Sequence, residues 1–304
     1  MAEIRFGTAS FAYEGWKGLV YRDRYREATF RVECLREYAR FAPFRTVEFD
    51  FTFYRPPTES QLARYASVLP PGFPVVSKAW EELTIPRFPD VPRHAERAGQ
   101  ENPRYLDARV FREEVVPVYE RAFRDHTGPF VFEFPTEWQP TPARRQEFLE
   151  RLDLFLADLP ASFSYSVEIR TPAYFVPEYF SVLRRRRVAH VFNWWTRTPP
   201  LLDQWEAATP LPASFAVTRI LVPPGMPYEA AVERFRPYDR LLEPREDMRR
   251  DLVRLIRNVT AAGADAFVLV NNRAEGCAPL TIRALARELG IDTTDSGPPR
   301  SLFE

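Results

Sequence analysis

Short stretches in which apolar residues alternate with polar ones, or run unbroken, recur along the whole chain, and helical patterns separate them. Eight of these stretches read as strands: "EIRFGT", "FRTVEFDF", "FPVVSKA", "PFVFEF", "SYSVEI", "VAHVFNW", "SFAVTRI" and "AFVLVNN". In "VEFDFTFY" a period of two puts Val47, Phe49, Phe51 and Phe53 on one face and Glu48, Asp50, Thr52 and Tyr54 on the other. One face suits a dry core, and the other carries carboxylates two residues apart.

Amphipathic helices fill the intervals. "TFRVECLREYARFA" sets Val32, Leu35, Tyr38 and Ala39 on one side. Thr58 followed by Gln61 makes a capping box, and Thr141 followed by Pro142 makes a second helix start. Gly263 and Gly290 close two later helices, where a left-handed residue is needed. Prolines gather at segment edges, as in "RPPTES" and "LVPPGMP", where they stop helices and stiffen loops.

Eight strands alternating with helices predict an α/β fold, a (β/α)8 TIM barrel forming one domain over residues 1–304. An open sheet would run its strands as continuous apolar stretches and would offer a glycine-rich phosphate loop, and the chain has none. Long loops are predicted after strand three (residues 80–107) and strand seven (residues 222–243), as lids or as decoration of the rim.

Closing the strands into a ring gathers the polar residues at their C-terminal ends. These are Thr8 and Ser10, Glu48 and Asp50, Lys78, Glu133, Glu168 with Arg170, Asn193, Arg219, and Asn271 with Asn272. Each follows an apolar run, so each is expected to be partly buried, where an unpaired charge is expensive and opposite charges compensate. A ligand pocket is the favoured reading of the set, against a buried ion-pair network that only fixes packing. Trp16, Tyr54, Trp80, Tyr174, Trp194 and Trp195 fall just beyond strands, where rings either stack on a ligand or pack beneath the loops.

Composition narrows the chemistry. Lys+Arg and Asp+Glu balance at 42 each, which removes a net-charge drive toward nucleic acid. The two cysteines, Cys34 and Cys277, are far apart and fit no metal spacing, and Cys277 at the rim has no evident base partner. His94, His126 and His190 are badly placed for a metal hydrolase, so no metal and no cofactor is expected, although a carboxylate-held Mg²⁺ or Mn²⁺ stays open. With no signal-like segment and no apolar run of spanning length, the expectation is a cytoplasmic protein with no membrane partner.

Six motifs, "FGTASFAYEGWKGLVY", "TVEFDFTFYRPPTE", "GFPVVSKA", "FVFEFP", "SVEIRTPAYF" and "VLVNNRAEGCAP", stand in an order and spacing that resembles the YecE-like family, also called domain of unknown function 72. The resemblance implies a TIM barrel and supplies no activity. It maps the family's pocket motifs onto Gly7, Ser10, Trp16, Glu48, Phe53, Tyr54, Lys78, Glu168, Arg170, Pro172, Arg219, Asn271 and Asn272. The chain departs from the family at Asp50 and Glu133, where Asn and Gln are usual, at Tyr174, where Trp is usual, in "RILV" after strand seven, and at Arg273. These departures imply a divergent member.

The function expected from the residues is a metal-independent hydrolase or lyase acting on an anionic small molecule such as a sugar phosphate. Glu48, Glu168 and Lys78 are the catalytic candidates. Ser10, Trp16, Asp50, Tyr54, Glu133, Arg170, Arg219, Asn271 and Asn272 are the substrate-binding candidates. The alternatives are a nucleic-acid-binding or nuclease-like protein, which "RRRR" (residues 184–187) and "MRRDLVRLIRN" bring to mind but do not favour, and a noncatalytic regulatory or scaffold paralogue.

Overall fold

The computed structural model describes residues 2–22, 25, 29–137 and 139–293, so the expected single domain over 1–304 extends beyond the described residues at both ends. Its strands are β1 (Ile4–Thr8), β2 (Val47–Phe49), β3 (Val75–Lys78), β4 (Thr127–Phe134), β5 (Tyr165–Ile169), β6 (Ala189–Trp194), β7 (Phe215–Ile220) and β8 (Asp265–Val270). All pairings are parallel, in the order β1-β8-β7-β6-β5-β4-β3-β2, and helices cover the outside. This is the (β/α)8 TIM barrel that the alternation of elements predicts.

The helices are α1 (Phe30–Tyr38), α2 (Glu59–Ala66), α3 (Ala108–Val110), α4 (Val116–Ala122), α5 (Pro142–Ala157), α6 (Pro177–Arg186), α7 (Leu201–Ala208), α8 (Tyr228–Phe235), α9 (Glu246–Ala261) and α10 (Ala278–Glu288). The Thr58 and Thr141 hydroxyls accept from the amides of Gln61 and Arg144, both at 3.2 Å, as helix caps should. The helical stretch from α3 to α4 is interrupted by a π turn over Phe111–Val115, next to Pro117, which has no amide hydrogen for a helical bond. Among the described residues no helix is long and apolar enough to cross a membrane.

The barrel closes between β1 and β2 through the chain just before β2. The amides of Arg45 and Thr46 both donate to the carbonyl of Phe6, at 2.8 and 3.2 Å. The Tyr38 hydroxyl bridges the same seam, accepting from the Thr8 amide at 2.8 Å and donating to the Thr46 carbonyl at 3.1 Å. Gly7 is obligatory here, since a Cβ would stand 2.3 Å from the Thr46 carbonyl oxygen. Gly7→Ala is expected to cost about 1–3 kcal/mol by overpacking backbone, read as a lower melting temperature. An unchanged melting temperature would mean that the seam is looser than this.

The lower lumen is a dry plug of Val76, Val131, Val191, Val217, Leu269 and Phe267, all buried. One side-chain repeat further along the same strands, the inward residues become Lys78, Glu133, Asn193, Arg219 and Asn271. A charged layer therefore rests on an apolar floor, where the low dielectric magnifies every charge. Of the two long loops, 222–243 holds α8 and its own small core of Leu221, Val222, Ala231, Phe235 and Tyr238, with Ala9.

Candidate functional site

Arg219, near the end of β7, is the hub of the charged layer. Its Nε and Nη2 donate to the two oxygens of Glu48 at 2.8 Å each. Its Nη1 donates to Glu133 at 2.8 Å and also to Glu168. Arg170 donates from Nε to Glu168 at 2.7 Å and approaches Glu133 at 2.9 Å. Lys78 meets the same Glu133 oxygen at 2.9 Å, with its ammonium 3.6 Å from the centre of the Phe53 ring. Three glutamates thus face three cations, and the network is charge-balanced before any ligand enters.

Burial divides this layer in depth. Glu48 and Glu168 have no exposed surface and Arg219 keeps 4%, whereas the side chains of Lys78 and Arg170 keep 10% and 18%. Glu48 and Glu168, the catalytic candidates of the sequence, therefore lie beneath the reachable surface, with their oxygens spent on Arg219, Arg170 and Asn193. Asn193 donates to Glu168 at 2.6 Å and is itself gripped by Gln204 of α7, which accepts from its amide at 3.0 Å and donates to its carbonyl at 2.9 Å. Sequence reasoning missed Gln204. The available signal was a polar residue on the buried stripe Leu201, Gln204 and Ala208 of a short helix.

Asp50 stands apart. The strand β2 ends at Phe49, and Asp50 opens a 3₁₀ turn over Phe51–Phe53. The Thr52 hydroxyl holds that turn by donating to the carbonyls of Phe49 and Lys78, at 2.8 and 2.6 Å. The strict alternation predicted for "VEFDFTFY" consequently stops at Phe49. Phe51 folds back over Phe49 and Tyr65, and Phe53 turns to meet Lys78 instead of the outer helices. Among the described residues Asp50 makes no ion pair.

These environments drive the carboxyls apart. Burial pushes Asp50 above the usual aspartate range, and the pull of Lys78 only partly offsets it. Burial also pushes Glu48 up, against Arg219 and Lys78. Burial would raise Glu133 too, but Arg170, Lys78 and Arg219 together outweigh it and hold that carboxyl well below its ordinary value. Arg219 is pushed down by burial and then far up by Glu168, Glu48 and Glu133, so it stays charged.

The other candidates spread outward from this centre. Ser10 is half-buried and its carbonyl accepts from Thr8 at 2.7 Å. Tyr54 is 56% exposed at the rim, and the Asn271 side chain accepts from the Arg273 amide at 3.0 Å. Trp16 and Asn272 are buried behind the mouth, bonded to each other at 3.2 Å, so Trp16 presents no ring face to a ligand here. Tyr174 is buried as well, with its hydroxyl on Glu137, while Trp195 stays partly exposed with Arg170 4.9 Å from its ring centre. Burial lifts the Cys277 thiol to about 11, which leaves it without thiolate character. None of the histidines faces the charged layer: His94 sits on Glu81, His126 on the Phe73 carbonyl, and His190 on Tyr179. Among the described residues no group of three or more His, Cys, Asp or Glu side chains is arranged to hold a metal.

A closed parallel barrel with an ion-paired layer at the C-terminal ends of its strands places the molecule among TIM-barrel proteins whose polar mouth is their distinguishing feature. The chain belongs to the protein family of unknown function DUF72, whose model matches residues 5–302. A DUF72 family protein from Thermotoga maritima superimposes with a TM-score of 0.65 at 21% identity, covering 95% of this chain and 99% of that one. A DUF72 family protein from Enterococcus faecalis V583 gives 0.62 at 14% identity, over 96% and 99%. SacUVDE gives 0.51 at 8% identity, over 95% and 99%, and at such identities the likeness concerns the fold alone. No curated protein matches the chain.

Proposed function

We propose that the mouth is the active site of a metal-independent acid–base enzyme, a hydrolase or lyase acting on an anionic small molecule such as a sugar phosphate. One observation carries this reading. Two carboxylates feel the same Lys78, and their surroundings push them in opposite directions, Asp50 up and Glu133 down. Such a divided pair supplies a proton donor and a permanently ionised partner in one pocket. In this reading Asp50 is the acid, and the partly exposed edges of Lys78 and Arg170 receive the anionic group. Glu48 and Glu168 act from below, as positioning residues that hold Arg219 and Arg170 in place.

The test is Asp50→Asn, which keeps the shape and removes the proton. Turnover in a screen of phosphorylated and glycosidic substrates is expected to fall about 100-fold. Stability should move the other way. Because the folded pKa of Asp50 lies above its unfolded value, its contribution favours the fold below the unfolded pKa and is lost as pH rises through the folded one. Asp50→Asn should therefore melt higher than the parent at pH 7, and that gain should vanish below about pH 4. Unchanged turnover would remove Asp50 as the acid, and a wholly inert screen would favour the noncatalytic alternative.

The nucleic-acid alternative has less to support it, because two arginines of the basic segments are held in less exposed pairs. Arg186 pairs with Asp153 at 2.8 Å and Arg249 with Glu275 at 2.8 Å. A mobility shift with single-stranded or duplex DNA at low salt would revive it.

A further inference from the structure

A cleft of about 1140 Å³ opens beside the mouth, between the loop 80–107, the ends of β4 and β5, and one side of α5. Arg170 belongs to both places: it pairs with Glu133 and Glu168 in the charged layer and also lines the cleft. Further out, Arg87 comes from the loop and Arg144 and Arg151 come from α5. Tyr105 and Tyr174 add aromatic edges.

The cleft wall on the loop side is built to stay in place. Glu81 and Glu82 are buried, at 1% and 5% exposure, which would be costly without partners. Arg93 and His94 hold Glu81 at 2.7 and 3.1 Å, and Arg97 and Arg104 hold Glu82 at 2.6 and 3.4 Å. Buried Asn102 donates to the carbonyls of Glu82 and Ile85 at 2.6 and 2.8 Å, pinning the returning strand of the loop. A loop this long, with its acids turned inward and paired, forms a preorganised wall.

The outer arginines are held far more loosely. Arg87 pairs with Glu101, whose side chain is 84% exposed, and Arg151 with Glu147, 68% exposed, at 3.9 Å. Arg144 pairs with Glu137 at 2.9 Å while keeping 58% of its own side chain in solvent. Solvent-exposed pairs of this kind are worth little, so these groups can exchange a carboxylate for a ligand anion while Arg87 and Arg151 keep their hydrogen bonds to the carbonyls of Gly99 and Tyr105, at 2.6 and 3.0 Å.

We propose that this cleft is a second anion subsite, which takes the outer phosphate or carboxylate of an extended ligand whose first anionic group sits at Lys78 and Arg170. The proposal rests on the reading of the mouth as an anion site, and it narrows the substrate class to molecules with at least two anionic groups.

The experiment titrates the full chain at 0.15 M salt with orthophosphate and with tripolyphosphate, by calorimetry. Tripolyphosphate is expected to bind at least about tenfold tighter, one charged hydrogen bond's worth. The double variant Arg144→Gln/Arg151→Gln should erase that advantage and leave orthophosphate affinity unchanged. Arg185→Gln/Arg186→Gln, equal in charge lost but at the C-terminal end of α6 and outside the lining of the cleft, should keep it. Equal affinity for the two anions, an advantage that survives in the first double variant, or one that both variants erase equally would overturn the subsite. Arg87→Gln, on the opposite wall, gives an independent reading should the double variant fail to fold. Because the measurement reads binding alone, an Asp50→Asn variant with unchanged turnover would sink the proposed acid and leave this result standing.

Discussion

Arg219→Met is expected to lower the stability of the fold by about 3–5 kcal/mol, measured by denaturant titration at pH 7. The cause is not the loss of one attractive contact. Arg219 is the shared partner of Glu48, Glu133 and Glu168, and Glu48 has both its oxygens on this one guanidinium. Without it, three carboxylates remain on an apolar floor with only Lys78, Arg170 and Asn193 to compensate them. Like charges at short range in a low dielectric cannot all stay ionised, so protons must be taken up on folding.

That uptake gives the prediction its pH signature. In the parent, the folded pKa of Glu133 lies below its unfolded value, so the stability it contributes is present above the unfolded pKa and is lost as pH falls through the folded one. In Arg219→Met the remaining carboxyls are pushed up instead, and the variant should lose least at acid pH. The gap between parent and variant is therefore expected to narrow from pH 7 to pH 5. Adding Glu48→Gln, which removes the carboxylate most dependent on Arg219, should recover part of the loss at pH 7. A gap independent of pH would show that packing of the Arg219 stem, and not its charge, carries the effect.

The network also shows how far the sequence could be read. Strand order, the inward parity of Glu48, Lys78, Glu133 and Arg219, and the helix caps at Thr58 and Thr141 follow from local chemistry with fixed periods. For these residues, position in the element determines which way a side chain points. Depth is another matter. That Glu48 and Glu168 sink out of reach while Lys78 and Arg170 keep a partly exposed edge depends on how three strands stack their side chains around one guanidinium. No period encodes that. Asp50 was legible as an inward acid only while β2 was taken to continue. The Thr52 hydroxyl, by tying the backbone of Phe49 to that of Lys78, ends the strand at Phe49, two residues before the end of the predicted stretch. The inward-turned Glu81 and Glu82 were illegible for a similar reason, since their partners come from within a loop that has no period to reveal its inside.

Trp16 shows the same limit most sharply, and replacing it is expected to have the second large effect. It follows β1 as a rim aromatic would, yet it has no exposed surface and packs 5.0 Å from Tyr13 and 6.4 Å from Tyr38, measured between ring centres. Trp16→Ala should cost about 3–5 kcal/mol, because a cavity of that size behind the β1–β2 seam cannot collapse without moving Tyr38. Trp16→Phe keeps most of the ring and loses the indole bond to Asn272, whose oxygen still accepts from the Ala278 amide at 2.8 Å, so about 1 kcal/mol is expected. Ligand binding separates this role from a stacking one. In Trp16→Phe the melting temperature should drop while orthophosphate affinity stays at the parent value, since Asn272 remains tied to the start of α10 and Asn271 keeps its place at the mouth. Affinity that falls with an intact melting temperature would mean that the ring reaches the ligand after all, through an opening of the wall between the β1 loop and α10.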